Sequence, residues 1–354
     1  MRKLASIQAV NAVEPIPGAD AVEKIRVLGW WVVGRKGEHA VGDEIVYCEV
    51  DSLLPERPEF EFLRAGSFKP AQVDGTGTTV LPAGFRIKTA KIRGQVSQGI
   101  CFPLSILPDG TPIEIGTDVA DLLGIIKWEP PVPFGMAGSA KGLFPGFIPK
   151  TDETRVQILE AVLVRNRGKA FHVTEKLDGT SFTAFVRNGE FGVCSRNYWM
   201  NEGDDTNTMA RVAKGLELAE KLKAARDRLG FDLAIQGELV GPGIQKNKYA
   251  LQSVTLYAFN VFNVDAYKFL DHAQAVATLH AMGVLSVPQL ATHVLDHTID
   301  ELVTISEGTS LLNPQIQREG LVMRPFIEEY DDVIGGRLSF KVLNPKFLLK
   351  YAEE

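Results

Sequence analysis

A lysine followed by an Asp-Gly pair, at Lys176 and Asp178 within FHVTEKLDGTSF, is a place in this 354-residue chain where residue types could support covalent chemistry. An amine at the end of a strand can attack the α-phosphate of a nucleoside triphosphate once it has lost its proton, and neighbouring cations or a metal ion would lower its pKa. Such a transfer also needs carboxylates that hold a metal ion and cations that neutralise phosphate oxygens. Taken alone, KLDG is a weak signal, because Asp-Gly is also an ordinary turn sequence.

An ordered series of segments follows this lysine, each at the edge of a predicted strand. They are SRN (195–197), GELVGPG (237–243), YAF (257–259), EGLVMR (319–324) and FK (340–341). Taken singly, Glu238 and Glu319 could be exposed carboxylates, Phe259 an ordinary core ring and Arg196 a surface charge. Their shared order favours a common site.

In this order the segments resemble motifs I, Ia, III, IIIa, IV and V of the covalent nucleotidyltransferase superfamily, which contains polynucleotide ligases and capping enzymes. The resemblance covers roughly residues 150 to 350. GELVGPGIQKN, together with the upstream PKTDETRVQ, is similar to ATP-dependent RNA ligases that repair nicks. The resemblance implies that the chain joins 3′-OH and 5′-phosphate ends of RNA through a lysyl-AMP and an adenylylated RNA.

The resemblance also implies a role for each matching residue. Lys176 would be the adenylated nucleophile and Lys341 a cation that stabilises the transition state. Many relatives have a second lysine where this chain has Leu343, so Lys346 is a candidate replacement that could also contact RNA. The implied nucleotide-binding set is Arg155, Glu175, Lys176, Arg196, Glu238, Phe259, Val322 and Lys341, and the implied metal set is Asp178, Glu238 and Glu319. For Arg155, a solvated arginine in the first turn of a helix is an equal alternative.

The type of metal follows from the ligands on offer. Carboxylate oxygens without clustered histidine or cysteine favour Mg²⁺ or Mn²⁺ over zinc. The six histidines are scattered, and the three cysteines form no CxxC pattern. We therefore expect Mg²⁺ or Mn²⁺ as the metal, and the resemblance implies ATP as a substrate.

The pattern of elements predicts an α+β chain with two domains. Residues 1–126 alternate short Val/Ile-rich runs with Gly, Pro and Asp, which is typical of a small all-β barrel and fits a nucleic-acid-binding OB-fold. Residues 127–149 are rich in Pro and Gly and predict a linker, and residues 150–354 predict a mixed α/β nucleotidyltransferase domain. In that domain the patterns predict a helix over residues 152–166, a hairpin at Asn188-Gly189 and a long helix from about Thr208 to Leu229 that Gly230 ends. One branch of RNA ligases carries an OB domain first, whereas DNA ligases and capping enzymes usually carry theirs afterwards.

A basic segment, FRIKTAKIRG, is the candidate RNA contact in the first domain, although the formal net charge of the chain is -6. In an extended strand Arg86 and Lys88 share one face, and Lys91 and Arg93 share one face after a phase shift. The alternative is a solvated edge strand whose lysines prevent aggregation. Residues 65–84, with GTGTT, are predicted to form a mobile loop.

No run of about 18 apolar residues could span a bilayer, and no signal peptide is recognisable, so a cytoplasmic protein without a membrane partner is expected. No obligate protein partner is implied. The expected partner is RNA, either a nicked duplex or broken ends. Two alternative functions stay open: a GTP-dependent capping-type guanylyltransferase that uses Lys176, Glu238 and Glu319, and a non-catalytic OB-fold RNA-binding protein.

Overall fold

The computed structural model describes residues 3–73, 79–128 and 140–351. The chain divides into two compact units, one formed by residues 1–134 with 345–354 and the other by residues 135–344. Within the described residues, no helix has both the length and the apolar character that crossing a membrane requires.

The first unit consists mainly of short strands. They are β1 (Ala5–Pro15), β2 (Val22–Val27), β3 (Trp30–Arg35), β4 (Glu44–Cys48), β5 (Ser52–Leu54), β6 (Phe68–Lys69), β7 (Gln72–Val73), β8 (Thr79–Leu81), β9 (Gly84–Arg86), β10 (Ala90–Ile92), β11 (Gln95–Ser97), β12 (Ile100–Pro103) and β13 (Ile126–Lys127). Its short helical segments are α1 (Arg64–Ser67), α2 (Ala120–Leu123) and the 3₁₀ turns Pro58–Leu63 and Leu104–Ile106.

Two sheets form this unit, with strand orders β12-β4-β1-β2-β3 and β13-β5-β9-β6, accompanied by the hairpins β10-β11 and β7-β8. The long strand β1 pairs with β4 through its first half and with β2 through its second half, with a bulge between Val10 and Ala12. Such a bulge bends a strand so that it can serve two parts of a curved sheet. Ile7, Val46 and Phe85 lie in the core that the curved sheet encloses.

The second unit is mixed α and β. Its strands are β14 (Ala140–Leu143), β15 (Thr154–Arg155), β16 (Ala170–Lys176), β17 (Thr180–Arg187), β18 (Glu190–Cys194), β19 (Tyr198–Met200), β20 (Leu233–Val240), β21 (Thr255–Asn263), β22 (Lys268–Phe269), β23 (Leu285–Ser286), β24 (Gln289–Val294), β25 (Gly320–Pro325), β26 (Tyr330–Asp331), β27 (Gly336–Arg337) and β28 (Phe340–Leu343). Its helical segments are α3 (Glu160–Arg165), α4 (Thr208–Gly215), α5 (Leu218–Leu229), α6 (His272–Ala281), α7 (Ile299–Ser306) and the 3₁₀ turns Val156–Ile158 and Gln245–Asn247. Helix α8 (Pro345–Tyr351) follows and groups with the first unit.

Two large sheets organise the second unit. One has the order β14-β19-β18-β17-β20-β21-β22, with β23 paired to β21, and the other has the order β15-β28-β25-β16-β24. Strand β20 is buried on both faces: Ile235 packs in the core that contains α5 and α6, whereas Ala234 packs in a separate cluster with Phe185. The α+β class predicted from the sequence is confirmed.

Several predicted elements differ from the observed ones. A single helix from Thr208 to Leu229 was expected, but Glu217 takes the left-handed conformation (φ 55°) and separates α4 from α5. Gly230 (φ 80°) ends α5 as predicted. Residues 152–166 were expected to be one helix, but Thr154–Arg155 forms β15 because it pairs in parallel with β28. The hairpin at Asn188 and Gly189 has positive φ at both positions, as a type I′ turn requires.

The predicted linker and loop fall partly on residues outside the described ranges. Within residues 127–149, positions 129–139 are not described, and Ala140–Leu143 forms an edge strand that pairs with β19. Within the predicted mobile loop 65–84, positions 74–78 are not described, and the flanking residues contribute α1, β6, β7 and β8. The segment 140–143 is thus part of a sheet, because pairing with β19 satisfies its backbone groups.

Candidate active site

Strand register brings Lys176 together with an acid. Strands β16 and β25 are antiparallel, with Lys176 opposite Gly320, so Glu319 ends beside the lysine. Lys176 Nζ donates a hydrogen bond to Glu319 Oε1 at 2.6 Å. The two side chains are only 25% and 12% exposed, so this ion pair is largely shielded from water.

A glycine allows a second carboxylate to approach. Glu238 lies on β20 opposite Ser181 of β17, next to the turn that joins β16 to β17. A Cβ atom on Gly179 in that turn would collide with the carbonyl oxygen of Leu239 and with the side chain of Glu238. The glycine of KLDG is therefore required because β20 passes directly against the turn.

Asp178 is held by residues that the sequence analysis did not select. Its carboxylate Oδ2 accepts a hydrogen bond from Lys248 Nζ at 2.5 Å, and its backbone N–H donates to Tyr249 Oη at 2.7 Å. Lys248 follows the turn Gln245–Asn247, whose three residues all have positive φ. Only the preceding GPG marks this turn in the sequence, and nothing there points to a contact with Asp178.

Three carboxylates around one amine control the protonation of the site. Burial disfavours the charged form of Lys176, but Glu319 and Glu238 outweigh it and raise the pKa of Lys176 above its ordinary value. Burial raises the pKa of Glu238 to about 8; Lys176 opposes this rise, whereas Glu319 adds to it. In this state the amine is charged and Glu238 is mostly protonated at neutral pH. The sequence analysis expected neighbouring cations or a metal ion to lower this pKa; the groups of the chain itself raise it, because acids rather than cations dominate the surroundings of the lysine.

Two further cations, Arg155 and Lys341, lie near one another, and the charge of Lys176 acts on Lys341. Parallel pairing of β15 with β28 places Arg155 opposite Lys341. Burial, followed by the charges of Arg155 and Lys176, lowers the pKa of Lys341 to about 7. These three cations repel one another, so binding of an anion such as a phosphate beside them would be favourable.

A pocket opens beside Lys176, with about 480 Å³ of empty space that includes open solvent. A bulge in the pairing of β20 with β21 leaves Phe259 without a register partner, and its ring lines this pocket. Bulges commonly redirect a side chain next to a functional site. The lining residues are Thr151, Glu153, Thr174, Glu175, Lys176, Leu177, Glu238, Phe259, Val287, Val322 and Arg324.

Two buried carboxylate oxygens near the pocket lack partners. Glu175 is 1% exposed, and its Oε2 accepts from the Leu311 N–H at 2.8 Å. Its Oε1, like Oε2 of Glu319, has no hydrogen-bond partner among the described residues. Burial raises the pKa of both carboxyls. Buried polar atoms are nearly always satisfied, so these oxygens are suited to a ligand or a cation.

The acids predicted as metal ligands fit a hard divalent cation that retains water. Asp178, Glu238 and Glu319 all act on Lys176 electrostatically. Across the described ranges, no three acidic, histidine or cysteine side chains lie close enough to enclose a metal by themselves. Mg²⁺ usually keeps several waters and binds one or two carboxylates, which this arrangement can provide.

Three residues of the predicted nucleotide-binding set, Arg155, Arg196 and Lys341, are not among those that line the pocket. Arg196 is exposed and donates to Asp152 Oδ1 at 2.9 Å, and it does not line the pocket. Lys346 lies on α8 and is exposed. Glu175, Lys176, Glu238, Phe259 and Val322 do line the pocket, whereas Thr151, Glu153, Thr174, Leu177, Val287 and Arg324 are lining residues that the sequence analysis missed.

The basic segment of the first unit is not one continuous strand. Arg86 ends β9, where its guanidinium lies 3.7 Å from the ring centroid of Trp128 and 3.6 Å from Asp51 Oδ1. Lys88 lies between strands, and Lys91 and Arg93 are exposed on the β10-β11 hairpin, Arg93 being in the turn at φ 49°. Arg86 therefore has local structural partners, whereas the hairpin presents exposed charge.

Comparisons with known proteins agree with this division. A family model for an OB-fold domain matches residues 4–104, and a family model for RNA ligase matches residues 169–343. A comparison with curated proteins found no match. Among solved structures, the Naegleria gruberi RNA ligase with PPi has a TM-score of 0.86 at 34% identity and covers 100% of both chains. An apo aspartate-to-alanine mutant of that ligase has a TM-score of 0.87 at 34% identity and covers 100% of this chain and 99% of its own.

A third structure, a glutamate-to-alanine mutant of the same ligase with ATP and Mn, has a TM-score of 0.87 at 34% identity and covers 99% of this chain and 100% of its own. The likeness extends over both units and confirms the predicted N-terminal OB-fold domain followed by a mixed α/β ligase domain. This chain belongs to the RNA ligase family.

Proposed function

We propose that this chain is an ATP-dependent RNA ligase that joins 3′-OH and 5′-phosphate ends through a lysyl-AMP on Lys176 and an adenylylated RNA. One observation carries the proposal: Lys176 and Phe259 line the same pocket, three acids act on the charge of the lysine, and its amine is 2.6 Å from Glu319. Structures of the Naegleria gruberi RNA ligase with ATP and Mn and with AMP and Mn support this nucleotide and a divalent metal.

The first step forms a bond between Lys176 Nζ and the α-phosphorus of ATP and breaks the bond to pyrophosphate. Lys176 must lose a proton before it attacks, and the hydrogen bond to Glu319 Oε1 identifies a path by which the proton can leave. The bound nucleotide is stacked on Phe259 and contacts Val322 and Glu175. Arg155 and Lys341 neutralise the charge that develops on the phosphate oxygens.

The two later steps reuse the same groups. An oxygen of the RNA 5′-phosphate displaces the lysine, so that a phosphoanhydride forms and the bond between Nζ and phosphorus breaks. The 3′-OH then attacks the RNA phosphorus, and AMP leaves with the electron pair of the anhydride bond. Adenylation thus turns a phosphate that cannot be displaced into one with a good leaving group.

The acids Asp178, Glu238 and Glu319 hold Mg²⁺ or Mn²⁺ together with its waters. A bound divalent cation supplies positive charge that lowers the pKa of the lysine and polarises the phosphate oxygens. Without such a cation, the same acids raise the pKa of Lys176, so the chain's own groups favour the resting state. Arg196, which is exposed beside Asp152, contacts the ribose or a phosphate.

Residues 1–126 bind nucleic acid and residues 150–354 carry out the chemistry, with 127–149 as the connection. The substrate is RNA, and its contacts include the exposed Lys91 and Arg93 together with Lys88, Arg86 and Lys346. A role in repairing nicked RNA and a cytoplasmic location are predictions from the sequence, as is the absence of an obligate protein partner.

The decisive experiment incubates the protein separately with labelled ATP and labelled GTP and detects labelled protein after denaturation, with Lys176→Ala as the control. Labelling by ATP that requires Lys176 supports the proposal. Labelling by GTP alone would instead indicate capping chemistry, and RNA binding without either label would indicate a non-catalytic protein. Nicked duplexes with RNA or DNA on the 3′-OH and 5′-phosphate sides then define the substrate.

A further inference from the structure

A buried lysine in the loop that joins β20 to β21 pairs with the aspartate of KLDG. Lys248 Nζ donates to Asp178 Oδ2 at 2.5 Å, and the two side chains are only 7% and 20% exposed. A lysine is rarely buried to this extent unless it is paired, because removing its charge from water costs free energy. The fold therefore maintains this ion pair against a desolvation cost.

The loop fixes Lys248 through a strained backbone. All three residues of the preceding turn, Gln245–Asn247, lie in the left-handed region with φ between 44° and 56°, although none of them is glycine. Contacts with other segments hold the loop. Asn313 Nδ2 donates to the carbonyl oxygen of Lys248 at 3.0 Å. Tyr249 Oη accepts from the Asp178 N–H at 2.7 Å. Strain of this kind persists only where the surrounding structure enforces it, and it is concentrated at functional sites.

Two of the three acids proposed to hold the metal ion are thus already paired with a lysine. Lys176 pairs with Glu319 at 2.6 Å, and Lys248 pairs with Asp178 at 2.5 Å. The third acid, Glu238, acts on Lys176 through its charge. A divalent cation that approaches these acids in the ligand-free protein therefore meets two ammonium groups as well, and their repulsion offsets part of the attraction of the carboxylates.

The two lysines differ in how the proposed reaction uses them. Lys176 loses its charge when it becomes the lysyl-AMP, because its nitrogen then bonds to phosphorus. Lys248 neither lines the pocket nor takes part in a bond-forming step, so the reaction leaves its charge unchanged. A nucleotide, by contrast, brings phosphate charges that offset a fixed cation. Lys248 is therefore a constant positive charge that opposes the metal, and the nucleotide is what counteracts it.

We propose that Lys248 lowers the affinity of the ligand-free protein for the divalent metal, so that the metal binds together with the nucleotide. The ammonium holds Asp178 Oδ2 and repels the metal ion, and the phosphates of the nucleotide supply the negative charge that overcomes this repulsion. Lys248 is a positioning residue, since it acts through Asp178. The inference rests on the proposed function, because it takes Asp178, Glu238 and Glu319 to be the acids that hold the metal.

The test measures the Kd of Mn²⁺ for the full chain from the electron paramagnetic resonance signal of the free ion. Saturating AMP, which carries the phosphate but cannot form the adduct, should lower the Kd of the wild-type protein by about 10-fold or more. Without nucleotide, Lys248→Met should bind Mn²⁺ roughly 10- to 100-fold more tightly than the wild-type protein, because a unit positive charge next to a divalent cation is removed. A purely structural role predicts the opposite sign, since a loosened site would bind Mn²⁺ more weakly.

Lys248→Arg keeps the charge and should keep a Kd close to that of the wild-type protein. Lys169→Met is the matched control, since Lys169 also pairs with an acid at 2.5 Å, but that acid, Glu329, is not one of the three proposed to hold the metal. Lys248→Gln serves if the methionine variant does not fold. Mn²⁺ binding that is unchanged or weaker in the folded Lys248 variants without the charge, or unaffected by AMP in the wild-type protein, overturns this inference alone. A wild-type protein that forms no adduct with ATP overturns the proposed function.

Discussion

Lys176 Nζ and Glu319 Oε1 are 2.6 Å apart because β16 ends opposite the start of β25. This pairing makes the proposed nucleophile a charged ammonium before any nucleotide binds. Burial, to which the charges of Glu319 and Asp178 add, raises the pKa of the neighbouring Glu238 to about 8. Nucleotide and metal binding must therefore change the protonation of the site as well as fill it.

Replacing Lys176 with methionine should abolish the AMP adduct and leave the fold intact, because the aliphatic part of the side chain is kept. Mass spectrometry of the protein after incubation with ATP and Mn²⁺ measures the adduct. Lys169→Met is the control, since Lys169 is also ion-paired, with Glu329 at 2.5 Å, but does not line the pocket. An adduct of equal yield in Lys176→Met would refute the assignment of the nucleophile.

Glu238 should make the stability of the ligand-free protein fall as the pH rises. The pKa of Glu238 is about 8 in the folded state, whereas the ordinary value of a glutamate is 4.5, so between these values the folded state holds a proton that the unfolded state lacks. The contribution of protonated Glu238 to the free energy of unfolding is fully present below about pH 4.5 and is lost by about pH 8. Glu238→Gln should remove roughly 1–3 kcal/mol of this decrease in the free energy of unfolding, measured by denaturant unfolding at several pH values. The exposed control Glu160→Gln should leave the decrease unchanged.

Binding of Mn²⁺ to the ligand-free protein near pH 7 should release a proton, because a cation beside Glu238 favours the ionised carboxylate. Calorimetry in two buffers with different ionisation enthalpies measures the number of protons released. Glu238→Gln should bind Mn²⁺ more weakly and release fewer protons. Chelation of the metal should also abolish lysyl-AMP formation. Equal proton release by both proteins would assign the proton to another group.

Lys341→Met should stabilise the ligand-free protein at pH 6 while slowing adenylation. The folded-state pKa of Lys341 is about 7, whereas the ordinary value of a lysine is 10.5. From about pH 7 to 10.5 the unfolded state therefore binds the extra proton, and the free energy of unfolding rises with pH. Below about pH 7 the buried ammonium destabilises the fold, so its removal should raise the unfolding free energy by roughly 1–3 kcal/mol. Loss of the cation should slow adenylation by about 10²- to 10³-fold. Lys223→Met, at an exposed position of α5, is the control and should change neither quantity.

The hairpin of the first unit should contribute to RNA binding separately from Arg86. Combined Lys91→Ala and Arg93→Ala substitutions should weaken RNA binding and reduce the salt dependence by about two ions, with lysyl-AMP formation unchanged. Binding titrations at several salt concentrations measure both quantities. Arg86→Ala should instead lower the melting temperature, because it removes the contacts with Trp128 and Asp51. An RNA affinity unaffected by the double substitution would exclude the hairpin as a contact.

Local patterns predicted the elements that depend on local chemistry. The Asn188-Gly189 hairpin follows from residues that accept positive φ, and the strands around Glu238 and Phe259 follow from apolar runs. The break between α4 and α5 was missed because Glu217 adopts positive φ without a glycine or proline to mark it. The strand Thr154–Arg155 was missed because it exists only through pairing with β28.

The sequence by itself determined the family resemblance, the domain order and the residues available for chemistry, because the order of Lys176, Glu238 and Glu319 along the chain is legible without coordinates. Only the tertiary structure brought Lys248 to Asp178 across 70 positions and Arg324 to Glu153 across 171. It also decided the protonation of the site. The pKa of an amine depends on its burial and on its distances to other charges, and the sequence specifies these only through the complete fold.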